Sequence, residues 1–332
     1  MNWFKPFEDD LAAAFSACEA RLSEFPAPLN QIGLSYLRKF DVFEQDSSKN
    51  YICYLLPFWM KERTALPAEI YRDLSTANII GMLYYFIQDD IMDSPHDGQS
   101  SIDPKHHLAL ANLLYYEFLT SYQPYFPANS EFWYYFKHYT HEWSEGVIHE
   151  NREDYFKHDR TMVAKKAAPV KLGSTAALLL SDQADLISRT NDVMNHVLLT
   201  LQMMDDWTDW KQDLADGSYN CLLSLIKSER GQPQDAVLTI SEVQEAIFIN
   251  NMLKPYAEIA AVTHAHLLSV DIEAPHLISF HQTMVDELQN EANHIENSKK
   301  TLSFGGLNYH LSILNKNNRF YICSMVFFKS KK

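Results

Sequence analysis

The sequence predicts an all-α protein, a single domain over residues 1–332 with about ten to twelve helices. Three observations carry that reading. Apolar residues recur at helical spacing along nearly the whole chain, and no stretch sustains the alternation of a half-buried strand. Glycine is scarce, nine in 332 residues, about 3% against a usual ~7%. None of the nine builds GxGxxG or GxxxxGK[ST], so the dinucleotide fingerprint and the P-loop are both missing. Aromatic residues reach 13%, which suits an aromatic-rich core between long helices.

Taken in order, apolar faces at helical spacing predict helices over 7–25, 29–43, 51–61, 74–92, 105–122 and 132–147. The strongest helices are predicted at 164–180 and 192–214. Further helices follow at 243–267 and 276–295, with a tail helix after Gly306. Polar segments bearing Pro or Gly separate them: Ser94-Pro95-His96-Asp97-Gly98, Gln123-Pro124, Gly217-Ser218 and Gly231-Gln232-Pro233. No repeat, low-complexity block or linker-like composition shift divides the chain.

The formal net charge is -15, which argues against a nucleic-acid backbone or an anionic membrane surface as the main partner. No run approaches the roughly 18–20 apolar residues that span a bilayer, and the acid-rich N-terminus lacks the apolar core of a secretory signal. Cys18, Cys53, Cys221 and Cys323 are scattered without CxxC spacing, as expected of reduced thiols. A cytoplasmic protein is expected.

Two carboxylate clusters dominate the chemistry. In Asp89-Asp90-Ile91-Met92-Asp93, Asp89 and Asp93 stand at i and i+4 and share a helix face. The apolar run 79–87 leads directly into them, so the acids belong at the mouth of a buried region. In the second cluster Asp205, Asp209 and Asp213 form one stripe over two turns, again after an apolar helix. Like charges at that spacing repel unless a cation sits between them. Hard oxygen ligands suit Mg²⁺, which keeps several waters and binds substrate phosphates.

These motifs resemble those of the class I isoprenoid synthase superfamily, the trans-prenyl diphosphate synthases and class I terpene synthases. Asp89, Asp90 and Asp93 match the first Asp-rich motif, DDxxD, and Gln202 to Asp209 read QMMDDWTD, matching QxxDDxxD. Asp205, Asp209 and Asp213 also occupy the register of the terpene-synthase metal triad. The resemblance runs from about 75 to 225. It implies the class I terpenoid synthase fold, with helices around an active-site cavity. It also implies three Mg²⁺ ions held by Asp89, Asp90, Asp93, Asp205, Asp209 and Asp213.

The implied chemistry is ionisation of an allylic prenyl diphosphate, C15–C25, with release of pyrophosphate. The carbocation then cyclises or rearranges in an apolar, aromatic-lined cavity. Tyr84, Tyr85 and Phe86 precede the first cluster, and Trp207 and Trp210 thread the second. Tyr85, one turn before Asp89, and Phe86 are substrate-contact candidates, as is Gln202 of the second motif. Lys165-Lys166-Ala167-Ala168 resembles the family's KTA element, which makes Lys166 the first diphosphate-binding candidate. Arg160 is next, by resemblance to the terpene-synthase pyrophosphate sensor, and Lys171 follows. The resemblance also allows a homodimer.

Departures from the elongating synthases bear on the reaction. The upstream segment Phe58-Trp59-Met60-Lys61-Glu62-Arg63 lacks Gly-Gly-Lys, residues 94–102 lack the arginines that follow DDxxD, and Ser218 and Asn220 replace Lys and Thr after the second motif. These losses remove cations that would anchor a second diphosphate. A terpene synthase is therefore the first expectation. A prenyltransferase that condenses isopentenyl diphosphate with an allylic diphosphate is the alternative, and an inactive regulatory subunit the non-enzyme one. Arg319-Phe320-Tyr321 resembles the C-terminal Arg-Tyr pair of bacterial terpene cyclases only loosely. A di-iron bundle would need two ExxH elements, and only Glu291-Ala292-Asn293-His294 fits. His149, His264 and His266 read as lone histidines without zinc spacing.

Overall fold

A computed structural model describes residues 1–92, 103–150 and 154–314, with the backbone alone for 303–314. Asp93, residues 94–102, Cys323 and the Arg319-Phe320-Tyr321 segment lie outside the described residues. The described chain is helical without strands. Its α-helices are α1 (Glu8–Ser23), α2 (Leu29–Phe40), α3 (Tyr51–Trp59), α4 (Lys61–Thr64), α5 (Ala68–Met92), α6 (Pro104–Tyr122) and α7 (Phe132–His149). They continue as α8 (Tyr155–His158), α9 (Leu172–Leu180), α10 (Ile187–Asp216), α11 (Cys221–Glu229), α12 (Ile240–Gln244), α13 (Leu253–Ser269) and α14 (Pro275–Leu314). Eleven of them reach nine residues or more, within the expected ten to twelve.

Two helices form the centre because each has a stretch, 74–87 in α5 and 197–204 in α10, with apolar residues on nearly every face. α5 buries residues from Tyr71 to Ile87 and packs against α1, α3, α6 and α9. α10 buries Val193 to Met204 and then Asp205, Asp206, Trp210 and Asp213, and packs against α11, α13, α14 and the segment Arg160–Lys171. α3 is buried along its whole length. Gly81 is needed where α5 meets α6: a Cβ there would stand 2.6 Å from the Phe118 ring. The N-terminal segment packs on the first turns of α14, as the Trp3 indole donates to Thr283 at 3.1 Å and packs edge-on against Phe280. Cys18, Cys53 and Cys221 are buried free thiols, and burial pushes the Cys18 pKa up to about 12. No described helix is long and apolar enough to cross a membrane.

Four elements differ from the sequence expectation. The predicted helix 164–180 is α only from Leu172. The preceding Arg160–Lys171 is a 3₁₀ turn capped by Asp159 and containing Pro169, which has no N–H to continue an α ladder. The predicted 243–267 helix is broken: α12 passes into a π turn over Glu245–Ile249, Asn251 takes a left-handed φ of 52°, and α13 restarts with Pro255 in its first turns. α11 is an additional helix, short and apolar, started by the Asn220 side chain accepting from the Leu223 N–H. The 276–295 and tail helices are one continuous α14.

Candidate active site

α5 and α10 deliver their acids to one cleft. It is lined by Tyr85, Phe86 and Asp89 from α5 and by Gln202, Asp205, Asp206, Asp209 and Asp213 from α10, with Trp143, Glu150, Lys166 and Tyr219 around them. The acids lie toward the C-terminal ends of both helices, and neither helix carries a basic residue in its last described turn. A helix C-terminus already presents a partial negative charge. Carboxylates gathered there, partly out of water, repel one another unless cations join them. The structure thus brings together Asp89, Asp205, Asp209, Asp213, Lys166, Gln202, Tyr85 and Phe86 from the sequence candidates.

Each acid has a distinct setting. Asp90 turns toward α2, where the Tyr36 hydroxyl donates to its Oδ2 at 2.6 Å. Burial and the Asp90 carboxylate together hold the Tyr36 hydroxyl protonated, well above its ordinary range. Asp206 is buried at the root of α11, accepting from the Cys221 N–H at 2.6 Å and from Gln202 Nε2 at 2.7 Å. Burial pushes its pKa up to about 7. Asp213 accepts from Asn220 Nδ2 at 2.9 Å, and the same amide nitrogen also donates to the Asp206 carbonyl at 2.8 Å. Asn220 therefore fixes the last acid of the stripe while its carbonyl oxygen caps α11.

Lys166 is the one Lys or Arg among the described residues that lines the cleft. Its ammonium is 2.6 Å from Glu150 and 3.9 Å from Asp89. The other two predicted cations lie elsewhere. Lys171 is buried against α7, paired with Glu142 at 2.6 Å, donating to Asn195 and lying over the Tyr139 ring. Its pKa is lowered by burial, and Glu142 offsets part of that. Arg160 donates to the Phe156 carbonyl, covers the Phe156 ring, and lines an outer groove with Lys157, His158 and His196. Trp207 and Trp210 line neither the cleft nor the apolar cavity below it.

Tyr85, Phe86 and Lys166 also line that second cavity. It continues between Cys53, Asn78, Gly81, Met82, Phe118, Ala167, Pro169 and Val170. Aromatic faces crowd the junction: Tyr85 lies 5.0 Å from Trp143, and Phe86 lies 4.7 Å from Phe40. The arrangement is an acidic mouth over an apolar pit, whose chemistry matches a charged head with hydrated divalent ions on one side and an apolar tail on the other.

Sequence reasoning missed Glu150, Trp143, Tyr219 and Asn220. Tyr219 sits between the acids and α8: its hydroxyl donates to the buried Asp154 at 2.8 Å and accepts from the Phe156 N–H. Ser224 donates to the same Asp154 oxygen at 2.7 Å. Asn220 and Tyr219 stand in the stretch that follows the second acidic motif, and that position was the available signal. Glu150 and Trp143 come from α7 and its end, where local sequence carries no such mark.

Comparison with solved structures agrees on the architecture. The chain superposes on the geranylgeranyl pyrophosphate synthetase of the archaeon Geoglobus acetivorans with a TM-score of 0.64 at 14% identity, over 84% of this chain and 99% of that one. It superposes on the geranylgeranyl pyrophosphate synthase of Lactobacillus brevis with a TM-score of 0.65 at 16% identity, over 86% and 96%. The chain has the all-α isoprenoid synthase fold of these neighbours. No family model matches the sequence, and no curated protein matches it.

Proposed function

We propose that this chain is a Mg²⁺-dependent enzyme that ionises an allylic prenyl diphosphate and releases pyrophosphate, with residues 1–332 as its one domain. The observation that carries this reading is the convergence of two acidic helix ends over an apolar, aromatic-lined pit. The donor set fits the metal: Asp89, Asp205, Asp209 and Asp213 offer only hard carboxylate oxygens, with no imidazole or thiolate among them. Mg²⁺ held there, three ions by resemblance, would supply Lewis-acid neutralisation of the departing diphosphate.

The chain's own residues do the rest. Lys166 exchanges its Glu150 partner for a diphosphate oxygen at the boundary between cleft and pit. The mostly apolar lining of the pit disfavours water, and Tyr85, Phe86 and Phe118 in that lining offer aromatic rings to a chain whose charge has moved onto carbon. Asp90 and Asp93 complete the first motif by resemblance, Asp90 being steadied by Tyr36. The net charge of -15 is compatible with an anionic substrate because bound cations invert the sign locally.

Two fates of the cation each have support. The solved neighbours are named as geranylgeranyl pyrophosphate synthases, which favours elongation with isopentenyl diphosphate. The sequence departures point instead to cyclisation or rearrangement, since no Gly-Gly-Lys precedes the first motif, no arginine stands in 94–102 and Ser218 replaces Lys after the second. The structural neighbours are the stronger support, and they favour elongation. Incubation with geranyl, farnesyl or geranylgeranyl diphosphate and Mg²⁺, with and without isopentenyl diphosphate, separates the two. Hydrocarbon or alcohol formed without isopentenyl diphosphate identifies a terpene synthase, and a longer diphosphate formed only with it identifies a prenyltransferase. No turnover under either condition would refute both.

A further inference from the structure

His266 is not alone in the fold. α13 places it against the first turns of α10, where Asp192 and His196 stand one turn apart on one face. His266 Nε2 lies 3.2 Å from Asp192 Oδ2, and the His196 and His266 rings are 4.5 Å apart. One donor atom from each of the three residues falls within 4.8 Å of the others. His196 Nδ1 is 2.8 Å from the backbone carbonyl of Asp192, which can only accept, so Nδ1 carries the proton and Nε2 keeps its lone pair. A ring nitrogen fixed in this way by a backbone carbonyl is the usual orientation of a metal-ligating histidine.

We infer that Asp192, His196 and His266 form a second metal site, for a borderline transition-metal ion of the Zn²⁺ class, separate from the acidic cleft. Zn–N and Zn–O bonds of about 2.0–2.1 Å in tetrahedral array set donor atoms roughly 3.3 Å apart. The Asp192–His266 pair already has that spacing, and the exposed Asp192 and His266 side chains can close on the fixed His196 ring by rotation. Two imidazoles and one carboxylate leave an open coordination position, and imidazole excludes Mg²⁺ as the natural occupant. The consequence is mechanical: the ion ties α13 to the beginning of the helix whose far end carries Asp205, Asp209 and Asp213. In sequence the three ligands are 74 residues apart at their widest, so no short zinc motif marks them.

The test uses the full-length chain, stripped with EDTA and then saturated with Mg²⁺ and pyrophosphate so that the acidic cleft is occupied. Titration with ZnCl₂, followed by calorimetry and by melting temperature, should show one tight ion per chain and a melting point raised by several degrees. Co²⁺ in place of Zn²⁺ should give a visible absorption band typical of nitrogen and oxygen ligation. His266→Ala and Asp192→Asn should each weaken binding at least tenfold, and His266 is exposed enough for the variant to fold. Asp209→Asn, in the cleft, should leave the Zn²⁺ affinity unchanged, which separates failure of this site from failure of the proposed activity. Equal Zn²⁺ affinity in wild type and His266→Ala, or loss of binding only in Asp209→Asn, would overturn the inference.

Discussion

The Lys166 ammonium stands 3.9 Å from the Asp89 carboxylate, so the one fixed cation lining the described cleft faces the first acid of the first motif across it. Glu150, at 2.6 Å, holds that ammonium in place without substrate. A charge-assisted hydrogen bond to a diphosphate is worth about 1.5–3 kcal/mol. Lys166→Met should therefore lower kcat/KM for an allylic diphosphate by about tenfold to a hundredfold. Inhibition by inorganic pyrophosphate should weaken in parallel, with the circular dichroism spectrum unchanged. Undiminished pyrophosphate inhibition would remove Lys166 from the binding set.

Asn220 does two jobs through one side chain, capping α11 and holding Asp213. Asn220→Ala should cost about 1–2 kcal/mol in urea unfolding through the lost cap. It should also raise the Mg²⁺ concentration needed for half-maximal activity, because Asp213 loses its orienting donor. A stability loss with no change in Mg²⁺ dependence would confine Asn220 to the cap.

Gly81 tests the close approach of α5 and α6 beneath the cleft. An alanine Cβ would meet three carbons of the buried Phe118 ring at 2.6–2.9 Å. Overpacking of this kind costs about 1–3 kcal/mol, against roughly 1 kcal/mol gained in helix propensity. Three contacts below 3 Å with a buried ring put the cost in the upper part of that range, so Gly81→Ala should lose about 1–2 kcal/mol, and Phe118→Leu in the same chain should recover much of it. A Gly81→Ala chain as stable as wild type in urea unfolding would show that the helices can separate without cost.

His281 makes the stability pH-dependent. It is fully buried, 2.9 Å from His264 and 2.8 Å from the Thr200 hydroxyl, and burial lowers its pKa to about 3, with His264 and His196 adding like charge. An unfolded histidine takes up a proton near pH 6.5, whereas this one stays neutral until far lower. Its contribution is thus present above pH 6.5 and is lost as pH falls below it, at about 1.4 kcal/mol per unit. Asp206, pushed up to about 7 by burial, works in the opposite sense: the folded chain holds its proton while the unfolded chain has lost it. The difference between wild type and His281→Gln is therefore the readout. In EDTA, the wild-type urea midpoint should fall relative to the variant's between pH 6.5 and 5, and parallel curves would contradict the assignment.

The central helices and their acids were legible because two simple signals coincide there: an apolar stretch in the helix, and carboxylates repeating each turn directly after it. The cations were not. Whether Arg160, Lys166 or Lys171 reaches the cleft depends on the 3₁₀ path of Arg160–Lys171, which turns successive side chains by 120° rather than 100°. Periodicity read as α-helix therefore misplaces them. The break between α12 and α13 rests on a π turn and on Asn251 in a left-handed conformation, neither of which changes the apolar pattern. His266 looked isolated because its partners lie on another helix, and only the packing of α13 on α10 brings them together.

The central claim is that both acidic helix ends act on one diphosphate. The most direct measurement is Mg²⁺-dependent pyrophosphate release from farnesyl and geranylgeranyl diphosphates by wild type, Asp89→Ala and Asp209→Ala, with folding of each chain checked by circular dichroism. The account predicts release by wild type only with Mg²⁺, and a loss of at least a hundredfold in either variant while the fold persists. Release that survives in either folded variant, or that proceeds equally in EDTA, would contradict it.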